Sequence, residues 1–547
     1  MSLQNQIETL GTEFWTWRTR QQPRSHDDIP RIEREHNWIP AWSPNDVAQY
    51  RQVIAEFSDR YTALEESVSV LKNEDPELYV DYRLIGSAIA RVIWELDYLL
   101  VWQEQPRFYI DQTIGVVFDL LTVPNVDHSR VNEVTHILNN TAAILTSGRE
   151  NLAGNLVSEY VEVAIDLLEN IEAQISTLVI ELAKCVDSDT DLKSKLQSAG
   201  ESSAQAFVSF KDWLVANRSA AKPFKPVGRE NYRWFLHNVA LLPFEPEEII
   251  SIGELEWERA VTLEHITTNR YRAEPMPPIP SSAPEQVENE RKAELQVREF
   301  YESEGILSQP ESLGHYLNDS LPAYLEPIRW LGVTDDLTGP SRVDADGVSY
   351  VPDPRPDLPY FYAANARDTR AGIVHEGAHY QQLALSWRNS RILRRYYYDS
   401  GVNEGIAFYN EELMLAAGLF NDAPQSQVVM YNFMKLRALR VIVDVKLAIG
   451  AIDAAQATEY LEKKVPMDHE TAYEEAVFFA SSPGQALTYQ IGKTQIIRLF
   501  SDSIEARRSS FNMKDFHDYL WTNGNVPISL LRFEMLNDSS DLDRLNL

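Results

Sequence analysis

The chain has 547 residues, 44% hydrophobic and 24% charged, a globular balance that excludes a disordered or low-complexity protein and leaves room for one large core or two to three average domains. A formal net charge of −32 repels phosphate backbones and argues against nucleic-acid binding. Cys185 is the only cysteine, so no internal disulfide can form, and a cytoplasmic location is expected.

The first residues, Met1 to Glu8, have no basic stretch followed by an apolar run and do not read as a signal peptide. Residues 1–270 read as helix after helix. Helical periodicity runs from Ser87 to Gln103, from Leu152 to Cys185, from Ala204 to Val215 and from Glu247 to Arg270. The most apolar stretch, Ile85 to Trp102, contains Arg91, Glu95 and Asp97, so it reads as a buried amphipathic helix and no membrane span is expected. Pro243 and Pro246 mark a turn. The proline-dense Met276 to Pro284 reads as a surface loop inside one large domain, or as a linker; residues 1–270 are expected to form one wall of the cleft and residues 271–547, which carry the chemistry, to continue the same body. Gly347 to Tyr362, rich in β-branched, aromatic and proline residues, suggests a short edge strand and a turn, an extended edge on which a substrate peptide could pair. Helices then continue to about Trp521. The fold class is mostly α, with a small sheet just before the chemistry.

That chemistry starts at His375-Glu-Gly-Ala-His379, an HExxH motif. On a helix, positions i and i+4 share a face, so both imidazoles can meet one ion. Zinc takes nitrogen and oxygen ligands, and Glu376 is placed as general base. A chance HExxH on a solvated helix is the bland alternative, but Ile373, Val374, Leu383 and Leu385 put this helix in a core, where unpartnered polar groups are costly. Asp368 or Thr369 is a candidate N-cap. Gln382 and Leu385 stand where a metzincin needs glycine and histidine, so the third ligand must be distant.

Asp399 to Leu413 opens a second helix, with Asp399 or Ser400 as cap. Glu404 lies in its first turns and is the expected third ligand, Asp399 its competitor. Gly405 would allow close backbone packing. Glu411, two turns on, either orients a histidine or is a solvated carboxylate. Downstream, Tyr489 is an oxyanion donor or a core tyrosine. Lys493 and Arg498 bind a substrate carboxylate or are helix-surface charges. His469 and His517 have no ligand-like neighbours.

Taken together, His375-Glu-Gly-Ala-His-Tyr-Gln-Gln, Asn403-Glu-Gly-Ile-Ala-Phe-Tyr-Asn-Glu-Glu and Pro483-Gly-Gln-Ala-Leu-Thr-Tyr-Gln-Ile-Gly-Lys resemble the DUF885 family of bacterial proteins, presumed zinc metallopeptidases. Weaker similarity around Gly228 to Leu236 and Phe244 to Glu256 extends the resemblance over most of the chain. It implies a large helical gluzincin-like fold, with His375, His379 and Glu404 on Zn2+, Glu376 as base and Tyr489 beside them. Many members carry HExxPGH; the shorter spacing here weakens any transfer of their substrate preference. The expected function is zinc-dependent hydrolysis of peptide or amide bonds, by an exopeptidase or oligopeptidase acting on short peptides. The rivals are an amidase acting on a non-peptide metabolite and a non-catalytic binding protein of zincin fold; retention of Glu376 speaks against the latter.

Overall fold

Ser2 accepts the N–H of Asn5, and the helix Leu3–Gln21 then buries Ile7, Leu10, Phe14 and Trp15 along one stripe. The same pairing of polar cap and apolar stripe recurs through the computed structural model, which describes residues 2–25, 32–355, 357–465 and 467–546. Prolines sit in the first turn of Pro76–Ile93, Pro246–Arg270 and Pro424–Ala448, where their missing N–H costs nothing.

The expected helices form with different bounds. Ser87–Gln103 is not one helix. Pro76–Ile93 runs into a π turn, Trp94–Tyr98, and breaks at Leu100, whose φ of 52° is left-handed. The Trp102 indole donates to the Leu96 carbonyl across that break. The periodicity from Leu152 to Cys185 divides into His128–Leu152, Ser158–Leu167 and Ile171–Cys185, with Gly154 at φ +78° turning the first junction. Helices also continue past Trp521, through Ile528–Leu536 to Ser540–Leu545.

One apolar cluster joins both ends of the chain, from Ile7 to Leu545. Two helix pairs frame the site: Pro246–Arg270 against Pro424–Ala448, and Ser400–Ala417 against Thr488–Arg507.

The sheet has three strands, β1 (Tyr316–Ser320), β2 (Asp335–Asp336) and β3 (Gly347–Val351), in the order β1-β3-β2. β3 pairs parallel with β1 and antiparallel with β2. The expected edge strand is therefore central, and it offers no free edge to a peptide. Its composition suited a strand, but the partners came from segments whose own strand signal is weak. Pro356 of the same segment lies outside the described residues. Gly347 packs against Tyr380 of the HExxH helix, where a Cβ would come within 2.6 Å of that ring. No helix among the described residues is long and apolar enough to cross a membrane.

Candidate metal centre

The HExxH motif spans a π turn, Ile373–Gly377, that passes into the helix Ala378–Ser386. Such widened turns are frequent at functional sites. Thr369 precedes the helix but makes no side-chain cap; Asp368 instead accepts from Arg370. Ile373 and Val374 are buried as expected, and the Val374 carbonyl accepts from Asn410 Nδ2 at 2.7 Å. Asn410 thus ties the HExxH segment to the helix that carries Glu404.

That helix, Ser400–Ala417, is capped by Asp399, whose carboxylate accepts the Val402 N–H at 3.1 Å. Asp399 is committed to this cap and to Arg91, 3.4 Å away. Glu404 turns inward one turn later. Its Oε2 lies 3.4 Å from His375 Nε2 and 3.4 Å from His379 Nε2. Donor atoms of His375, Glu376 and His379 also lie within 4.8 Å of one another. His375, His379 and Glu404 are buried, and Glu376 is half-buried.

These atoms fit a metal on geometry and on bonding. Ligands at roughly 2.0–2.1 Å from a tetrahedral zinc lie about 3.3–3.4 Å apart, the spacing found here. His379 Nε2 and Glu404 Oε2 are buried without a hydrogen-bond partner, an arrangement that is costly unless something else satisfies both atoms.

Glu411 stands 2.6 Å from His375 Nδ1 and leaves Nε2 facing Glu404. Arg437, which sequence reasoning passed over, lies 2.9 Å from the Glu411 carboxylate and 4.9 Å over the Phe408 ring. The same guanidinium lies 5.3 Å from the Tyr489 ring centre. Tyr489 stacks beside His375, with ring centres 6.2 Å apart and planes 15° from parallel. Burial and Arg437 push the His375 pKa down, but Glu404 and Glu411 outweigh them and hold it at about 9. Burial pushes Glu404 up, and the two imidazoles more than reverse this, holding it well below the usual carboxylate range.

Two further contacts explain where Tyr489 stands. Asp444 accepts the N–H groups of Gly484 and Leu487 and so fixes the turn before the Tyr489 helix. A Cβ on Gly492 would lie 1.9 Å from the Gly401 carbonyl oxygen, and one on Gly405 would lie 2.7 Å from Gly492 Cα. The Glu404 and Tyr489 helices therefore touch backbone to backbone, as Gly405 suggested. Arg437 and Asp444 sit one heptad apart in a helical run that is apolar between them except at Arg440; that pattern was the available signal. Burial above all, then Asp335 and Glu376, raise the Tyr316 phenol, and Tyr362 also feels the charge of Glu376. Both tyrosines belong to this neighbourhood.

Lys493 and Arg498 are not among the groups brought together. Lys493 is buried and neutralised by Glu412 at 2.7 Å and Glu256 at 3.2 Å. Arg498 pairs with Asp541 at 3.0 Å, held by the C-terminal helix. Both have structural partners in place of the substrate carboxylate expected from the sequence. His517 is structural, set between the Ile306 carbonyl and the Tyr409 hydroxyl, and His469 is exposed on the surface, its Nδ1 3.0 Å from Glu462.

Fold and site define a large, mostly helical protein built around an HExxH segment and a glutamate from the following helix. Residues 335–535 match the family described as "Bacterial protein of unknown function (DUF885)". Two solved structures share the whole fold: a presumed lipoprotein from Colwellia psychrerythraea, with TM-score 0.74 and 18% identity, covering 100% of this chain and 99% of that one, and a presumed lipoprotein of unknown function from Shewanella oneidensis, with TM-score 0.70 and 16% identity, covering 98% and 100%. No curated protein matches the chain.

Proposed function

We propose that the protein is a zinc-dependent hydrolase of peptide or amide bonds, of gluzincin-like fold, acting on short peptides. The observation that carries this reading is the convergence of His375, His379 and Glu404 at 3.4 Å spacing, with Glu376 beside them.

His375, His379 and Glu404 would hold the ion, which when bound supplies a Lewis acid for the carbonyl and lowers the pKa of water. Glu376 would take a proton from the attacking water and pass it to the leaving nitrogen. Glu411 would fix the ring of His375 through Nδ1, and Arg437 would hold the Glu411 carboxylate in place. Tyr489 would donate to the oxygen that becomes anionic as the tetrahedral intermediate forms. A binding protein needs no half-buried carboxylate between two histidines, which favours the enzyme.

The deciding experiment combines metal analysis with digestion of a short-peptide library. The parent should bind about one zinc per chain and cleave peptides, and chelator should stop it. Glu376→Gln should keep the zinc and lose at least ~100-fold in turnover, because the amide cannot accept the proton. Near-normal turnover, or loss of zinc, would remove Glu376 from this role. For location we propose the cytoplasm, on the exposed free thiol of Cys185; fractionation of the native host tests this against the lipoprotein description of the two structural neighbours.

A further inference from the structure

A cavity of about 560 Å3 lies between the N-terminal helices and the start of the Glu404 helix, a size suited to a small molecule or short peptide. Its wall includes Ser400 and Gly401, four and three residues before Glu404 and so one turn away on the same helix face. It also includes Thr488, the neighbour of Tyr489. The cavity thus reaches the first turn of the Glu404 helix and the residue before Tyr489.

Its charged lining is balanced, four arginines against four acids, in a chain of net charge −32. The arginines are not equivalent. Arg18 and Arg24 are 3% and 4% exposed and closed into short pairs with Glu95 at 2.6 Å and Asp111 at 2.9 Å. Arg91 and Arg107 are 26% and 25% exposed, and their contacts with Asp399 and Asp111 stretch to 3.4 and 3.6 Å. A guanidinium presents five donors in a fork that matches a carboxylate, so the long contact to Asp399 and the hydrogen bond with the Tyr397 phenol do not saturate Arg91. Trp94, Phe108, Phe235 and Trp330 supply an aromatic wall around these cations.

We propose that this cavity receives the carboxylate end of a short peptide, with Arg91 as the partner of the carboxylate and the aromatic wall taking an apolar side chain. The proposal rests on the hydrolase reading above and narrows it to substrates with a free carboxylate. Arg91 also sets a length. Asp399 precedes Glu404 by five residues, roughly 7–8 Å along a helix, and Arg91 stands 3.4 Å from the Asp399 carboxylate. An extended peptide covers about 3.3–3.6 Å per residue, which puts its carboxylate roughly two or three residues past the reacting carbonyl.

The test measures binding separately from turnover. The full-length Glu376→Gln protein, with and without added zinc, is titrated calorimetrically with Ala-Ala-Phe and with its C-terminal amide. The acid should bind about 10–100-fold more tightly, the range of a charge-assisted hydrogen-bonded pair. Arg91→Gln should reduce that contrast to about threefold or less and leave amide binding unchanged; if this variant does not fold, Arg91→Lys, which keeps the charge opposite Asp399, should weaken acid binding about tenfold. Equal affinity for acid and amide, or a contrast undiminished in both Arg91 variants, overturns the proposal. Zinc-dependent cleavage of acid and amide at equal kcat/KM would remove this subsite and leave the hydrolase reading, whereas an Arg91-dependent binding contrast without any cleavage by the parent would keep the subsite and remove the hydrolase.

Discussion

His375 meets a carboxylate on each side of its ring, Glu404 at Nε2 and Glu411 at Nδ1. Its two nitrogens therefore have separate tasks, one toward the ion and one toward a buried acid. Tyr489 lies flat against this ring while Arg437 covers the phenol from another direction. A donor held in this way strengthens its hydrogen bond as charge develops on the substrate oxygen. Tyr489→Phe should lower kcat by roughly 10²–10³-fold with unchanged zinc content, read by steady-state kinetics beside metal analysis. A rate within about twofold of the parent would make Tyr489 a packing residue.

Between elements, the decisive contact is glycine against glycine. Gly492→Ala would place a methyl group 1.9 Å from a backbone oxygen of Gly401, which cannot rotate away. The helices carrying Glu404 and Tyr489 would be forced apart, at a cost of roughly 1–3 kcal/mol or more. The expected result is a lower Tm with reduced zinc stoichiometry. Gly377→Ala is the control: its methyl would meet side chains at 3.4 and 3.6 Å, ordinary contact, so Tm should hold. His517 links the Glu404 helix, through Tyr409, to the backbone at Ile306. Burial lowers its pKa from 6.5 to about 4. Between those values the unfolded chain takes up a proton that the folded chain refuses, so the stabilisation is complete above pH ~6.5 and is lost as pH falls toward ~4. At about 1.36 kcal/mol per unit, the parent should lose on the order of 2–3 kcal/mol more than His517→Gln between pH 7 and 4.5, measured by denaturant unfolding at the two pH values.

At the scale of the molecule, the proposed ligands join two helices packed into the C-terminal half, so an ion held there stabilises that half against unfolding. Zinc at about 1,000 times its Kd should add roughly 4 kcal/mol. Calorimetry should show a Tm raised by zinc and lowered by chelator, with no such shift in His379→Ala or Glu404→Ala. A Tm indifferent to zinc in the parent would count against a metal at this site.

The sequence by itself determined the local features. Helical periodicity marked most helical segments, HExxH placed two histidines on one face, Asp399 announced its cap, and Gly405 its close approach. These are matters of spacing and side-chain type within a few turns, so they are legible along the chain. Helix ends were less so: the break at Leu100 and the π turn at Ile373–Gly377 leave no mark in the spacing of apolar residues. Only the tertiary structure decided the rest. It made β3 central by bringing β1 and β2 to its two sides, gave Lys493 and Arg498 structural partners, and set Arg437 between Glu411 and Tyr489. Each of these depends on residues far apart in the chain, and a charge in a helix cannot declare from its neighbours alone which distant partner will meet it once the core has closed.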